Sequence, residues 1–299
     1  MLKRISLFVI TNLAVVFVLS IVARLFGLEQ NPNEYIPLLI FASLFGFGGA
    51  LISLLLSKWM AKRSTGAHMI TEPANETERW LADTVAKLAE TAKVKMPEVG
   101  IYQGEPNAFA TGATRNSSLV CVSTGLLQSM NQKEIEAVLA HEMSHVANGD
   151  MVTLTLIQGI VNTFVIFLSR LVAGVIANMI SRNNNSSSSI ASSGVYYMVA
   201  MICQIVFGIL ASIIVCYFSR RREYRADAGA AYLLGSPRAM IAALNKLKRM
   251  QSGDLPDSMA ALGISDKPSK IASLFSTHPP LEDRISALEN NLSSFTLDA

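Results

Sequence analysis

The chain alternates between long runs without a charge and polar stretches whose apolar residues recur at helical or strand spacing. Ile5 to Ala23 and Ile36 to Leu56 contain no charged residue. Each is close to the ~20 residues a helix needs to cross hydrocarbon, and neither has the polar stripe of a helix in a soluble core. Both predict transmembrane helices. Between Asp150 and Arg220 the only charged residues are Arg170 and Arg182. A third span runs either from Met151 to Ser169, with Arg170 near its outer end, or on to Ile180, with Arg170 turned to a polar interior because an unpaired charge at mid-membrane is costly. Val195 to Phe218 supplies a fourth. Arg182 to Ser189 is a low-complexity Asn/Ser tract and, with the residues up to 194, reads as a polar loop.

The polar stretches predict a small folded domain. Asn75 to Lys93 has helical spacing through Trp80, Leu81, Val85, Leu88 and Ala89, and Pro97 opens a β-like run, Val99 to Tyr102. A turn at Glu105-Pro-Asn107 precedes a strand at Ser118 to Ser123, and a helix begins near Gln132. Arg220 to Leu234, Pro237 to Met250 and Leu281 to Leu292 read as helices, the last after a Thr277-His-Pro-Pro corner. The expected order is two transmembrane helices in 1–57, a first cytosolic piece in 58–150, two further hydrophobic helices in 151–219 and a second cytosolic piece in 220–299. The two cytosolic pieces fold together. The expected class is α+β, mainly helical, mounted on four hydrophobic helices.

Composition and charge orient this scheme. Hydrophobic residues make up 51% of the chain and charged ones 16%, which excludes an ordinary soluble protein. The net charge of +3 comes from short Lys/Arg clusters beside the apolar runs, so nucleic acid is not an expected partner. Lys3 and Arg4, then Lys58, Lys62 and Arg63, then Arg220, Arg221, Arg222 and Arg225 belong on one side, the cytosol. No small-x-small cleavage site follows the first run, which favours an uncleaved anchor over a signal peptide. Cys121, Cys203 and Cys216 lack paired spacing and read as apolar fillers in a reducing compartment.

Candidate chemistry sits in Ala140-His141-Glu142-Met143-Ser144-His145-Val146, an HExxH motif within a helix-compatible run, Glu134 to Asn148. Residues i and i+4 lie one turn apart on one helix face, so both imidazoles reach a single zinc ion, while Glu142 projects beside them toward the catalytic water. The apolar flanks Ile135, Val138, Leu139, Val146 and Ala147 embed the helix, where unpaired His and Glu would be costly. A catalytic zinc takes a third protein ligand. The Gly and His of a metzincin extension are absent, because Asn148 and Met151 occupy those positions. A carboxylate is therefore needed, and Glu223 and Asp227 offer two acids one turn apart. One binds the metal and the other accepts a ligating His N–H; spacing does not choose between them.

These segments, together with Asn107-Ala-Phe-Ala-Thr-Gly112, Asn148-Gly-Asp150, Arg222-Glu-Tyr-Arg-Ala-Asp227 and Thr277-His-Pro-Pro280, resemble the HtpX family, heat-shock-associated membrane metalloproteases of bacteria related to the CAAX prenyl endoproteases. The resemblance covers essentially the whole chain. It implies a zincin-like (gluzincin) domain, one Zn2+ per chain, Glu223 as third ligand and Asp227 as its support. It also implies polypeptide substrates among membrane proteins, a multi-pass place in the inner membrane with the active site toward the cytoplasm, and a role in quality control under stress. Asn107 resembles the family segment beside the substrate at an edge strand, although a simple turn is an equal reading. His278 and Arg284 resemble late positions that stabilise the oxyanion or hold the ligand carboxylate, against the plainer alternatives of a helix-start corner and a solvated face. A CAAX-type prenyl endoprotease and a non-catalytic zinc-dependent scaffold or transporter are the rival readings. From the residue offsets, both ligand-bearing helices are expected to run directly into membrane helices.

Overall fold

The computed structural model describes residues 14–21, 32–183, 189–253 and 273–290. The chain divides into two compact units, Met1–Ser53 with Leu154–Val215, and Leu54–Thr153 with Cys216–Ala299.

Apolar helices dominate the first unit. Helix α1 is Pro32–Thr65, α5 is Asp150–Asn183 and α6 is Ser189–Leu233. Among the described residues three helices are long and apolar enough to cross a bilayer: Tyr35–Thr65, Asp150–Ile180 and Gly194–Leu233. The first expected span, Ile5 to Ala23, lies outside the described residues except for 14–21, which are helical. The Asn/Ser tract lies largely outside them too. α5 continues past Ser169, the longer of the two alternatives for this span, and among the described residues Arg170 lies against an aromatic ring and a backbone carbonyl. Its guanidinium stands 4.7 Å from the centroid of the Phe41 ring and donates to the Ile166 carbonyl. A cation over an aromatic face keeps partial electrostatic stabilisation without water.

Polar stretches form the second unit. α2 is Glu76–Thr91, capped by Asn75, whose side chain accepts from the Glu78 N–H. Four strands follow the order β1-β2-β4-β3, with β1 His68–Met69, β2 Glu98–Tyr102, β3 Ala108–Thr114 and β4 Ser117–Ser123. β2 and β4 pair in parallel, while the β1–β2 and β3–β4 pairs are antiparallel. β4 is buried from Ser118 to Ser123, as a central strand covered on both faces must be. Strand β3, at the sheet's edge, is absent from the elements read from periodicity, and only the family resemblance of the Asn107 segment implies an edge strand there. Its Ala-Phe-Ala-Thr-Gly-Ala-Thr run is half-buried with weak alternation, so no period-2 signal marks it.

After the short helix α3, Thr124–Ser129, comes α4, Gln132–Asn148. Asn131 and Glu134 form a reciprocal capping box at its start. Leu139, Met143 and Val146 on this helix are fully buried, and burying such side chains contributes about 1.5–3 kcal/mol each. Leu139 and Met143 join a core with Leu81 and Val85 of α2, Val120 and Val122 of β4, and Ala230 and Ala231 near the end of α6. α7, Arg238–Gly253, and α8, Leu281–Asn290, close the unit through Leu244 and Leu288.

Two glycines set the approach of the site-bearing helices. Gly149 ends α4 in the left-handed region at φ 70°, ψ 36°, where a side chain is disfavoured. α4 therefore stops there instead of running directly into the apolar helix, contrary to expectation. Glu223, in contrast, lies on the same unbroken helix, α6, as the apolar run. At Gly229 a Cβ would lie 1.9 Å from Ser144 Oγ, so only glycine lets α6 approach α4 this closely.

Candidate active site

His141 and His145 leave α4 one turn apart, their rings edge-on with centroids 4.7 Å apart and their Nε2 atoms 3.2 Å apart. Glu223 comes from α6, with Oε2 3.4 Å from His141 Nε2 and Oε1 3.3 Å from His145 Nε2. These three side chains offer ligand atoms that all lie within 4.8 Å of one another.

The opposite edge of each imidazole is occupied by a carboxylate. His141 Nδ1 is 2.9 Å from Asp227 Oδ1, and His145 Nδ1 is 2.7 Å from Asp150 Oδ2. A carboxylate at Nδ1 fixes the proton there and leaves Nε2 with its lone pair. Two such lone pairs and a carboxylate facing one point repel each other unless a cation sits between them. That donor set fits a divalent metal. Among the described residues, buried Asp150, Glu223 and Asp227 are accompanied by one buried arginine, Arg284, and no buried lysine, and a dication would balance the surplus negative charge.

In the metal-free protein these contacts shift the histidines toward protonation. Burial disfavours the His145 imidazolium, but the hydrogen bonds it donates to Asp150 and Glu223 outweigh this and raise its pKa from 6.5 to about 9. His141 is raised too, burial being overcome by hydrogen bonds to Asp227 and Glu223. Glu142 is half-buried, its carboxylate against the Ala110 backbone N–H of β3. Burial pushes its carboxyl above the usual range, although His141 and His145 partly offset this.

The remaining expected residues fall at different distances from this centre. Arg284 is 6% exposed, which excludes a solvated face. It grips Asp227 with two hydrogen bonds, Nε to Oδ2 at 2.8 Å and Nη2 to Oδ1 at 2.6 Å, and its Nη1 lies 3.5 Å from Glu223. The His278 side chain is exposed, with Nδ1 2.9 Å from Glu223 Oε2. Asn107 is exposed just before β3, its backbone held at both ends by Ser123: its N–H donates to the hydroxyl, and its carbonyl accepts the Ser123 N–H.

Asp150 is the residue that sequence reasoning missed. Its signal was present, because a glycine cap followed by an acid five residues after the second histidine folds that acid back onto the imidazole. Arg222 Nη1 donates to the Asp150 carbonyl and Arg225 Nη2 lies 3.7 Å from its carboxylate.

An HExxH helix beside an edge strand, a clustered His2Glu set and apolar helices long enough for a bilayer define a membrane metalloprotease. The family model for peptidase family M48 matches residues 75–292, and the chain belongs to that family. A protein called Protease HtpX homolog from Janthinobacterium sp. (strain Marseille) is 57% identical over 292 residues, spanning 96% of this chain and 99% of the relative. Protease HtpX from Shewanella pealeana (strain ATCC 700345 / ANG-SQ1) is 57% identical over 288 residues, with the same shares. The fold also matches the crystal structure of S. mikatae Ste24p at a TM-score of 0.62 and 20% identity, covering 97% of this chain and 67% of that one.

Proposed function

We propose that the chain is a zinc endopeptidase in which His141, His145 and Glu223 hold one Zn2+ and Glu142 is the general base. The carrying observation is the convergence of both Nε2 atoms on the Glu223 carboxylate while each Nδ1 is taken by Asp227 or Asp150. Two imidazoles and one carboxylate are a set that zinc takes in catalytic sites, with a position left for water. The bound ion supplies Lewis acidity, polarising the scissile carbonyl and acidifying water.

The chain's own residues do the rest. Glu142 accepts the proton of the attacking water and passes it to the leaving amine, a task helped by the upward shift of its carboxyl. Asp227 and Asp150 keep the histidines in the metal-binding tautomer, and Arg284 holds Asp227 in place. His278 extends over Glu223, where its imidazole can donate to the oxyanion that develops on the carbonyl. β3 has a free outer edge among the described residues, so an extended peptide adds to it as a further strand beside Glu142, with Asn107 at the entrance.

Substrates in this reading are polypeptides, chiefly misfolded or damaged membrane proteins, and the role is quality control in a bacterial inner membrane. The positive residues Lys58, Lys62, Arg63, Arg220, Arg221, Arg222 and Arg225 support a cytoplasmic active site. The test is Glu142→Gln, assayed for bound zinc and for cleavage of an unfolded membrane protein. Full metal with at least a ~10²-fold loss of rate is expected. Undiminished cleavage would sink the mechanism, and undetectable cleavage in the wild type would favour a non-catalytic scaffold.

A further inference from the structure

His278 is exposed, yet the chain before it is tied to α6 by an unusual set of bonds. Four consecutive carbonyls, from residues 273 to 276, each accept a hydrogen bond from an α6 side chain. Arg220 Nη1 donates to Ser273 O at 3.2 Å, Leu274 O at 3.1 Å and Ser276 O at 2.7 Å. Cys216 Sγ, one helical turn earlier, lies 3.3 Å from Phe275 O. The Ser276 hydroxyl then donates to the His278 carbonyl at 2.6 Å.

The far end of this segment is tied to the same helix. Pro279 and Pro280 follow His278, and Arg284 in the first turn of α8 grips Asp227. Cys216, Arg220, Glu223 and Asp227 fall at i, i+4, i+7 and i+11, so they share one face of α6. The two anchors, Arg220 and Asp227, are two turns apart, about 10 Å along the axis, and Glu223 lies between them. A segment fixed at both ends, with two φ angles locked by proline and the residue before proline restricted as well, has little freedom to move His278 away from Glu223.

We propose that Arg220 is a positioning residue for catalysis: by capturing the carbonyls of Ser273, Leu274 and Ser276 it sets where His278 stands over the metal-binding carboxylate. This rests on the reading of His278 as an oxyanion donor. Among the described residues Arg220 donates to backbone carbonyls of this segment, and none of its partners is a member of the His141, His145 and Glu223 set. Its charge is held by carbonyl dipoles, so the bonds carry position without neutralising the guanidinium.

The test is a double-mutant cycle on full-length protein in detergent or vesicles, with bound zinc and Tm measured alongside kcat and KM. His278→Ala is expected to lower kcat by ~10²-fold or more, the usual loss of an oxyanion donor. Arg220→Met is expected to lower kcat about 10- to 100-fold through misplacement of that donor, with KM and zinc content unchanged. In the His278→Ala background, Arg220→Met has no further effect on kcat, because both changes remove one function. Arg220→Lys, which keeps a charge and several donors, restores most of the rate, and Arg220→Gln falls between Lys and Met.

A general structural role gives a different pattern: equal losses in both backgrounds, or loss of zinc in the Met variant, and either overturns the proposal. If Arg220→Met does not fold, the Lys and Gln variants decide the matter in the same two backgrounds. An unaltered kcat in His278→Ala removes the oxyanion role and this inference with it. A reduced kcat in His278→Ala beside an unaltered one in Arg220→Gln and Arg220→Met removes only this inference.

Discussion

The two histidines are supported in different ways. His145 takes its carboxylate from five residues further along the chain, where the Gly149 turn brings Asp150 back. His141 takes its own from Asp227 on another helix, and that acid is in turn locked by Arg284 on a third. The local support needs only a helix cap, whereas the distant one needs α4, α6 and α8 packed together. The locks differ as well. Asp227 has both oxygens engaged by Arg284, while Asp150 Oδ1 has no hydrogen-bond partner and only Arg225 at 3.7 Å. Asp227 is thus the rigid support and Asp150 the softer one.

The sharpest way to break this asymmetry is Arg284→Met. It leaves Asp227 buried without its charge partner, and removing one member of such a pair costs about 3–5 kcal/mol. A large fall in Tm together with weakened metal binding is expected, and a variant as stable as wild type would show that Arg284 does not hold the site.

Next in size are Asp227→Asn and Asp150→Asn, compared by metal titration. Loss of a carboxylate behind a ligating histidine weakens metal affinity by about 10–100-fold. Asp227→Asn belongs at the upper end and Asp150→Asn at the lower. Equal losses would mean that the Arg284 lock adds nothing.

A third effect follows from the raised pKa of His145. In the metal-free protein its imidazolium contributes stability that is fully present below the ordinary value of 6.5 and is lost as pH rises through about 9. Metal competes with that proton, so metal affinity should rise across the same window, by up to about tenfold per pH unit for one displaced proton. Tm of the metal-free protein should fall from pH 6.5 to 9 while zinc affinity climbs. Parallel trends would refute the linkage. Asp150→Asn should flatten the curve more than Asp227→Asn, because Asp150 is the partner of His145.

The smallest expected change is Gly149→Ala. A Cβ in the left-handed region costs about 1–2 kcal/mol, and the resulting strain falls on Asp150. Zinc affinity should drop modestly without a change in the His141 half of the site. An effect as large as that of Asp227→Asn would mean that the turn supports more than one histidine.

The sequence by itself determined the features whose physics is local. Charge-free runs mark apolar helices, because hydrocarbon rejects charges whatever the tertiary arrangement. The i, i+4 spacing of His141 and His145 places them on one face through helix geometry alone, and helical spacing from Asn75 and the apolar run from Ser118 to Ser123 mark a helix and a strand from neighbouring residues. Residue types narrowed the third ligand to Glu223 or Asp227, but one turn of helix separates them, and only the distances to the Nε2 and Nδ1 atoms of the histidines tell their positions apart. The tertiary structure also decided that β3 is an edge strand, since its small residues carry no alternation and its strand character comes from pairing with β4. It decided that Arg284 is buried on Asp227, 57 residues away, and that Gly229 lets α6 meet α4. Pairings over such separations depend on how whole helices pack, and a pattern confined to neighbouring residues carries no record of them.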